Sequence, residues 1–264
     1  MKHMVNGDQI HIATGGRDFD PKGKVLVLLH GSGQNHLTWV LQGRYLAHRG
    51  YAVLAPDFPG HGLSDGTPLA SIEAQAQWVV DLLDSLDVPT ATIIGHSQGV
   101  LVALEAARAH ADRVASLVLI AGAAAIPVND YLVDLSDQAL AKAIKMMTSW
   151  GHGPGAHMHD NTQPGHSFLA YGCQVMAMNN RDALLADLNA CNAYDQGDAA
   201  CASITQPTHC ILAAKDKMTP LRAGRKMATQ INGASVDVIA NAGHFLPAEY
   251  PMEVNSAIRA FLER

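Results

Sequence analysis

Lys24 to Leu29 is a continuous apolar run, the pattern of a strand covered on both faces. Tyr51–Ala55, Ala91–Ile94, Val114–Ala121, Thr208–Ala214 and Ser235–Ile239 read as further strands. Ahead of them, Gln9 to Ala13 alternates weakly, and Gly15-Gly16, Asp20-Pro21 and Gly23 supply turn chemistry, so residues 8–29 read as a hairpin region leading into a buried strand. Helical spacing fills the gaps. Leu41 to Gly50 is a short helix stopped by glycine. Ser71 is placed as the N-cap of a helix over Ile72–Leu86, with Ile72, Ala76, Val79, Val80, Leu83 and Leu86 near one face. Val100–His110 and Leu221–Gln230 are helical, and Ala248–Leu262 closes the chain as a helix.

This alternation predicts an α/β fold: a mostly parallel central sheet flanked by helices with right-handed crossovers. It lapses between Ile126 and about Thr205, where helices are expected at Ser136–Ser149, Ser167–Met178 and Arg181–Ala190 and no strand is. The reading is therefore a core domain made of residues 1–125 and 206–264, with a helical cap inserted at 126–205 over the carboxyl edge of the sheet.

Composition narrows the function. The 264 residues are 48% hydrophobic and 16% charged, enough for a sizeable core, and the formal net charge of -6 comes without any Lys/Arg-rich run. Nucleic acid and an anionic membrane surface are therefore not expected partners; a small molecule is. No apolar run reaches membrane-span length and the first residues have no signal-peptide core, so a cytoplasmic location is expected. The oligomeric state is not legible. Cys173, Cys191, Cys201 and Cys210 form no CxxC pair and are expected to be reduced and structural. His152, His157, His159 and His166 lie near Asp160 in a loop, at no spacing typical of metal ligands, so neither metal nor cofactor is expected.

Chemistry concentrates where strand patterns end. Gly95-His96-Ser97-Gln98-Gly99 lies between a strand pattern and a helix pattern, a G-x-S-x-G turn that would lift the Ser97 hydroxyl above the sheet edge and put a helix start beneath it. A serine hydroxyl is a weak nucleophile at neutral pH, so it needs a base, an acid that orients the base, and donors for the oxyanion. His30-Gly31-Ser32-Gly33 follows the first buried strand and can supply backbone N–H groups. Asp216 follows the Thr208–Ala214 strand and His244 follows the Ser235–Ile239 strand. The strand before the cap ends in Ile120-Ala121-Gly122-Ala123-Ala124-Ala125 with no acid, which favours Asp216.

These pieces, with Asp57-Phe58-Pro59-Gly60-His61-Gly62-Leu63-Ser64 and Asn241-Ala242-Gly243-His244, closely resemble the α/β-hydrolase fold family, in its serine esterase and lipase branch. The resemblance implies Ser97 as nucleophile, His244 as base and Asp216 as the acid that orients it. It implies an oxyanion hole made by the backbone N–H groups of Ser32 and Gln98, with Gly33 ranked behind Ser32. His30 and His96 are read as structural hydrogen-bonders and 57–64 as a supporting loop. Trp150, Phe168, Met147 and Met176 are candidate pocket residues from their place in the cap. The implied reaction is hydrolysis of a small, fairly apolar carboxylic ester through an acyl-enzyme. Lactone, thioester and carbon–carbon bond hydrolysis share the triad and stay open, as do a cofactorless oxygenase, an acyltransferase and a ligand-sensing receptor.

Overall fold

The computed structural model describes residues 1–158 and 167–264. Eight strands form one sheet: β1 (Lys2–Val5), β2 (Asp8–Ala13), β3 (Lys24–Leu29), β4 (Tyr51–Pro56), β5 (Ala91–His96), β6 (Val114–Ile120), β7 (Thr208–Ala213) and β8 (Ser235–Ile239). Their order is β1-β2-β4-β3-β5-β6-β7-β8. β1 pairs antiparallel with β2, and β2 with β4; every later pairing is parallel. The hairpin is made by β1 and β2 around Asn6 and Gly7, both at positive φ, rather than within 8–29. The Asn-Gly pair that favours such a turn was the available signal.

Between the strands run α1 (Val40–Ala47), α2 (Ile72–Ser85) and α3 (Gln98–Ala109). Ser71 caps α2, its side chain accepting from the Ala74 N–H. Between β6 and β7 come α4 (Asp130–Gln138), α5 (Leu140–Gly151), α6 (Pro154–Met158), α7 (Phe168–Ala177), α8 (Ala183–Ala193) and α9 (Gly197–Ser203), with no strand among the described residues. The single helix expected at 136–149 is two, α4 and α5, because Ala139 leaves the helical region at φ −150, ψ 59. α10 (Leu221–Gln230) follows β7. The expected closing helix is also split, into α11 (Leu246–Glu249) and α12 (Pro251–Leu262), since Pro251 bars a helical Tyr250 before it.

The sheet separates two apolar layers. One packs α2 and α3 against Val25, Val27, Leu29, Ile93 and Leu119; the other packs α1 and α12 against Leu26, Leu28, Ile94 and Val118. A third cluster ties α4, α5, α7 and α8 together through Leu132, Ile144, Met147, Met176, Leu184 and Leu188. Register places the chemistry: Leu29 pairs with Gly95, His96 with Ile120, Ile120 with Ile211, and Ala213 with Ile239. The loops after β3, β5, β7 and β8 therefore leave the sheet at one level. No helix among the described residues is long and apolar enough to cross a membrane.

Candidate active site

Ser97 sits between β5 and α3 at φ 55, ψ −118, a left-sided conformation costly for a residue with a Cβ. The turn is held by Ser97 N–H donating to the Ile120 carbonyl at 3.1 Å and by Val100 N–H donating to the Ser97 carbonyl at 2.8 Å. Ser97 is the residue just before α3, whose first N–H groups point toward it.

The loop after β7 is wound around Asp216. Its Oδ1 accepts the Met218 and Thr219 N–H groups, both at 2.8 Å, and Oδ2 lies 2.8 Å from His244 Nδ1 and 2.8 Å from Thr219 Oγ. Burial pushes the Asp216 carboxyl upward, but the charge and hydrogen bond of His244 and the Thr219 donors outweigh it and hold the group below its usual range. His244 is itself nearly inaccessible, and its N–H donates to the Gly151 carbonyl at the end of α5 at 2.6 Å. Among the described residues no hydrogen bond joins Ser97 Oγ to His244; the two line one cavity.

That cavity has a volume of about 130 Å³. Gly31, Ser32 and Ser97 form its polar side; Ile126, Leu132, Met147, Trp150, Leu188 and Met218 form its apolar side, and Lys217 lies at its exposed edge. Met147 and Trp150 thus line it. Met176 is buried beneath Gly33 in the third cluster, and Phe168 lines a separate surface groove with Leu41, Tyr171 and Pro247, so the geometry puts neither on the cavity wall. His159, Asp160 and His166 lie outside the described residues.

Two histidines lock the surroundings. His30 Nδ1 donates to the Gly31 carbonyl and its Nε2 accepts the Phe58 N–H, while His96 Nε2 donates to the His244 carbonyl at 2.8 Å. Both rings are fully buried and held neutral: burial, then the neighbouring His61, lowers His30 to about 4, and burial, then His244, lowers His96 to about 3. A histidine whose folded pKa is depressed stabilises the fold fully above its unfolded value of 6.5, and that contribution is lost as pH falls through the folded value. Stability is therefore expected to decline from pH 6.5 down to 4, by about 1.4 kcal/mol per pH unit for each of the two rings. Urea denaturation at half-unit steps checks it; a flat profile over that range contradicts the neutral assignment.

The 57–64 loop is built around Asp57, fully buried, which accepts from the His36 N–H, His36 Nδ1 and the Leu63 N–H. His11, His36 and Asp57 offer ligand atoms within 4.8 Å of one another, a cluster invisible in the sequence. With the carboxylate already taken by three donors, the group fastens the loop. A further residue absent from the sequence reading is Asp187 of α8, buried against the loop after β3, where its carboxylate accepts the Gly33 N–H at 2.7 Å. The signal available was an acid among Leu184, Leu188 and Cys191 on one helical face.

Residues 26–257 match the model of the alpha/beta hydrolase family, and the chain belongs to that family. It is 31% identical over 241 residues to a pimeloyl-[acyl-carrier protein] methyl ester esterase of Neisseria meningitidis, covering 84% of this chain and 86% of that protein. Among solved structures it is similar to the enol-lactonase of Burkholderia xenovorans LB400, with TM-score 0.89 and 24% identity over the full length of both chains. It is also similar to a bromoperoxidase of Bacillus anthracis, with TM-score 0.88 and 19% identity over 100% of this chain and 99% of the other. Both likenesses are of fold.

Proposed function

We propose that this chain is a serine hydrolase that cleaves a small, fairly apolar carboxylic ester. The observation that carries the reading is the shared cavity: Ser97 on its strained turn and His244, held by Asp216, face the same space. Ser97 Oγ attacks the ester carbonyl while His244 Nε2 takes its proton. Asp216, bonded to Nδ1, fixes the tautomer that leaves Nε2 free as the base and stabilises the imidazolium that forms. The developing oxyanion is received by the N–H groups of Ser32 and Gln98; the Gly33 N–H is already given to Asp187. The imidazolium then protonates the departing alcohol, and water, activated by the same ring, releases the acid and restores Ser97.

The family membership and the esterase name of the Neisseria relative support this chemistry. Residues 126–205 act in this reading as a cap, α5 supplying Met147 and Trp150 and α8 supplying Leu188 to the apolar wall. Size sets the preference. An apolar cavity of about 150 Å³ holds a benzene-sized molecule, and this one is about 130 Å³. On p-nitrophenyl esters from C2 to C12, kcat/KM is expected to peak within C2–C6 and to fall by roughly tenfold or more at C10 and C12, since chains beyond the cavity gain no burial. No turnover of any member contradicts simple ester hydrolysis, and a maximum at C12 contradicts the cavity as the acyl site.

A further inference from the structure

One face of α8 rests on the residues that flank the oxyanion position. Asp187 Oδ2 accepts the Gly33 N–H at 2.7 Å and lies 3.0 Å from His61 Nε2; Oδ1 accepts from the Gln98 side-chain Nε2 at 3.0 Å. One turn further on, Cys191 Sγ lies 3.6 Å from Ser32 Oγ. One turn earlier, Leu184 Cδ1 stands 2.8 Å from where a Gly33 Cβ would be, and Gly33 itself is at φ +63, a conformation that disfavours any side chain beneath the helix. Ser32 and Gln98 are the two residues whose backbone N–H groups the proposed function assigns to the oxyanion. α8 thus grips one neighbour of the first donor and the side chain of the second.

The charge state of this clamp follows from its hydrogen bonds. His61 Nδ1 lies 3.0 Å from the Pro59 carbonyl, which can only accept, so Nδ1 carries a proton. A neutral ring would then turn an Nε2 lone pair toward Asp187 Oδ2, which already accepts from Gly33. The arrangement is satisfied when His61 carries both protons and Asp187 none. Burial disfavours the charged ring, but the charge of Asp187 and its hydrogen bond outweigh that and raise the His61 pKa. A lone buried carboxylate beside a developing oxyanion would oppose it; paired with His61, Asp187 braces the loop without leaving a net negative charge there.

We propose that Asp187, with its buried partner His61, is a positioning residue that fixes the oxyanion loop and Gln98 from the inserted helix α8. The effect on catalysis rests on the triad reading; the brace itself does not. Two readouts separate them. Amide hydrogen exchange over residues 30–35, read against the β3 strand, reports the brace in the resting protein. Then kcat and KM on a p-nitrophenyl ester, normalised to serines titrated by a fluorophosphonate, report its catalytic effect.

Asp187→Asn presents an amide NH₂ to a site that already holds three donors. It is expected to speed exchange in 30–35 by at least about tenfold with β3 unchanged, and to lower kcat about 10- to 100-fold with KM within about threefold. His61→Gln, which leaves the carboxylate unpaired, is expected to lower kcat as well. The double variant is expected to fall by less than the product of the two single losses, because neither charge is then stranded. Unaltered exchange at 30–35 in Asp187→Asn overturns the brace, whatever the reaction. Faster exchange with kcat per titrated serine within twofold of wild type overturns the positioning role. Full activity in Ser97→Ala overturns the triad instead and leaves the exchange result standing.

Discussion

Ser97→Ala is expected to lower kcat on a short p-nitrophenyl ester by roughly 10⁶-fold, the scale of triad-nucleophile loss. The residue keeps its Cβ, so the backbone at φ 55 meets the same steric demand in the variant as in the wild type. Among the described residues the Ser97 hydroxyl has no hydrogen bond to lose, and the side chain faces the cavity. Thermal unfolding should therefore stay within about 2 °C of wild type, a change of at most about 1 kcal/mol. A large loss of activity in a protein of unchanged stability separates chemistry from folding. Turnover within tenfold of wild type would mean that Ser97 is not the nucleophile, and Asp216 and His244 would then need a different reaction.

Gly95→Ala is expected to be the most damaging single methyl group that can be added to this chain near the site. The added Cβ would run into the carbonyl group of Gly99 and stand 2.8 Å from Val100 N, all backbone atoms of the first turn of α3. Backbone cannot rotate away as a side chain can, so strand and helix must part, and the turn that aims Ser97 opens. Overpacking of this kind costs about 3 kcal/mol, which corresponds to roughly 6–12 °C in melting temperature for a chain of this size. Activity should fall at least about 100-fold, because a displacement near 1 Å misaligns nucleophile and oxyanion donors. Gly155→Ala is the control: among the described residues its new methyl meets only the Tyr250 hydroxyl, at 3.9 Å, and both properties should hold. Gly95→Ala melting within 2 °C of wild type, with full activity, would contradict the close strand–helix approach.

The elements that position the site were legible because their signals are local. An unbroken apolar run marks a doubly covered strand, and β3, β5 and β6 follow the runs at Lys24, Ala91 and Val114 within a residue or two. The chain order of Ser97, Asp216 and His244 was legible for the same reason: each stands just after a strand pattern. The segment between β6 and β7 was harder. Apolar spacing runs smoothly from 136 to 149, and the break at Ala139 is a backbone event that spacing does not record. α9 is short and alanine-rich, and its buried residues Gly197, Ala200 and Cys201 give little periodic contrast.

The contacts that tie the segment to the core were not legible at all. Asp187 and His61 are 126 positions apart, and only the fold brings their side chains within 3.0 Å. The same holds for Met176 and Phe168, whose places depend on how α5, α7 and α8 pack and not on any pattern in their own helix. A charged residue on an otherwise apolar helix face is a usable flag for such cases, since a buried acid requires donors, and those of Asp187 come from Gly33, His61 and Gln98 on other elements.

The most direct test of the central claim is to trap the nucleophile. Wild type and Ser97→Ala are treated with a short alkyl fluorophosphonate and their intact masses and digests compared. One adduct per wild-type chain is expected, on the peptide carrying Ser97, formed at a rate that drops sharply in Asp216→Asn, with no adduct on Ser97→Ala. A wild-type chain that stays unmodified, or an adduct on another residue that persists in Ser97→Ala, would contradict it.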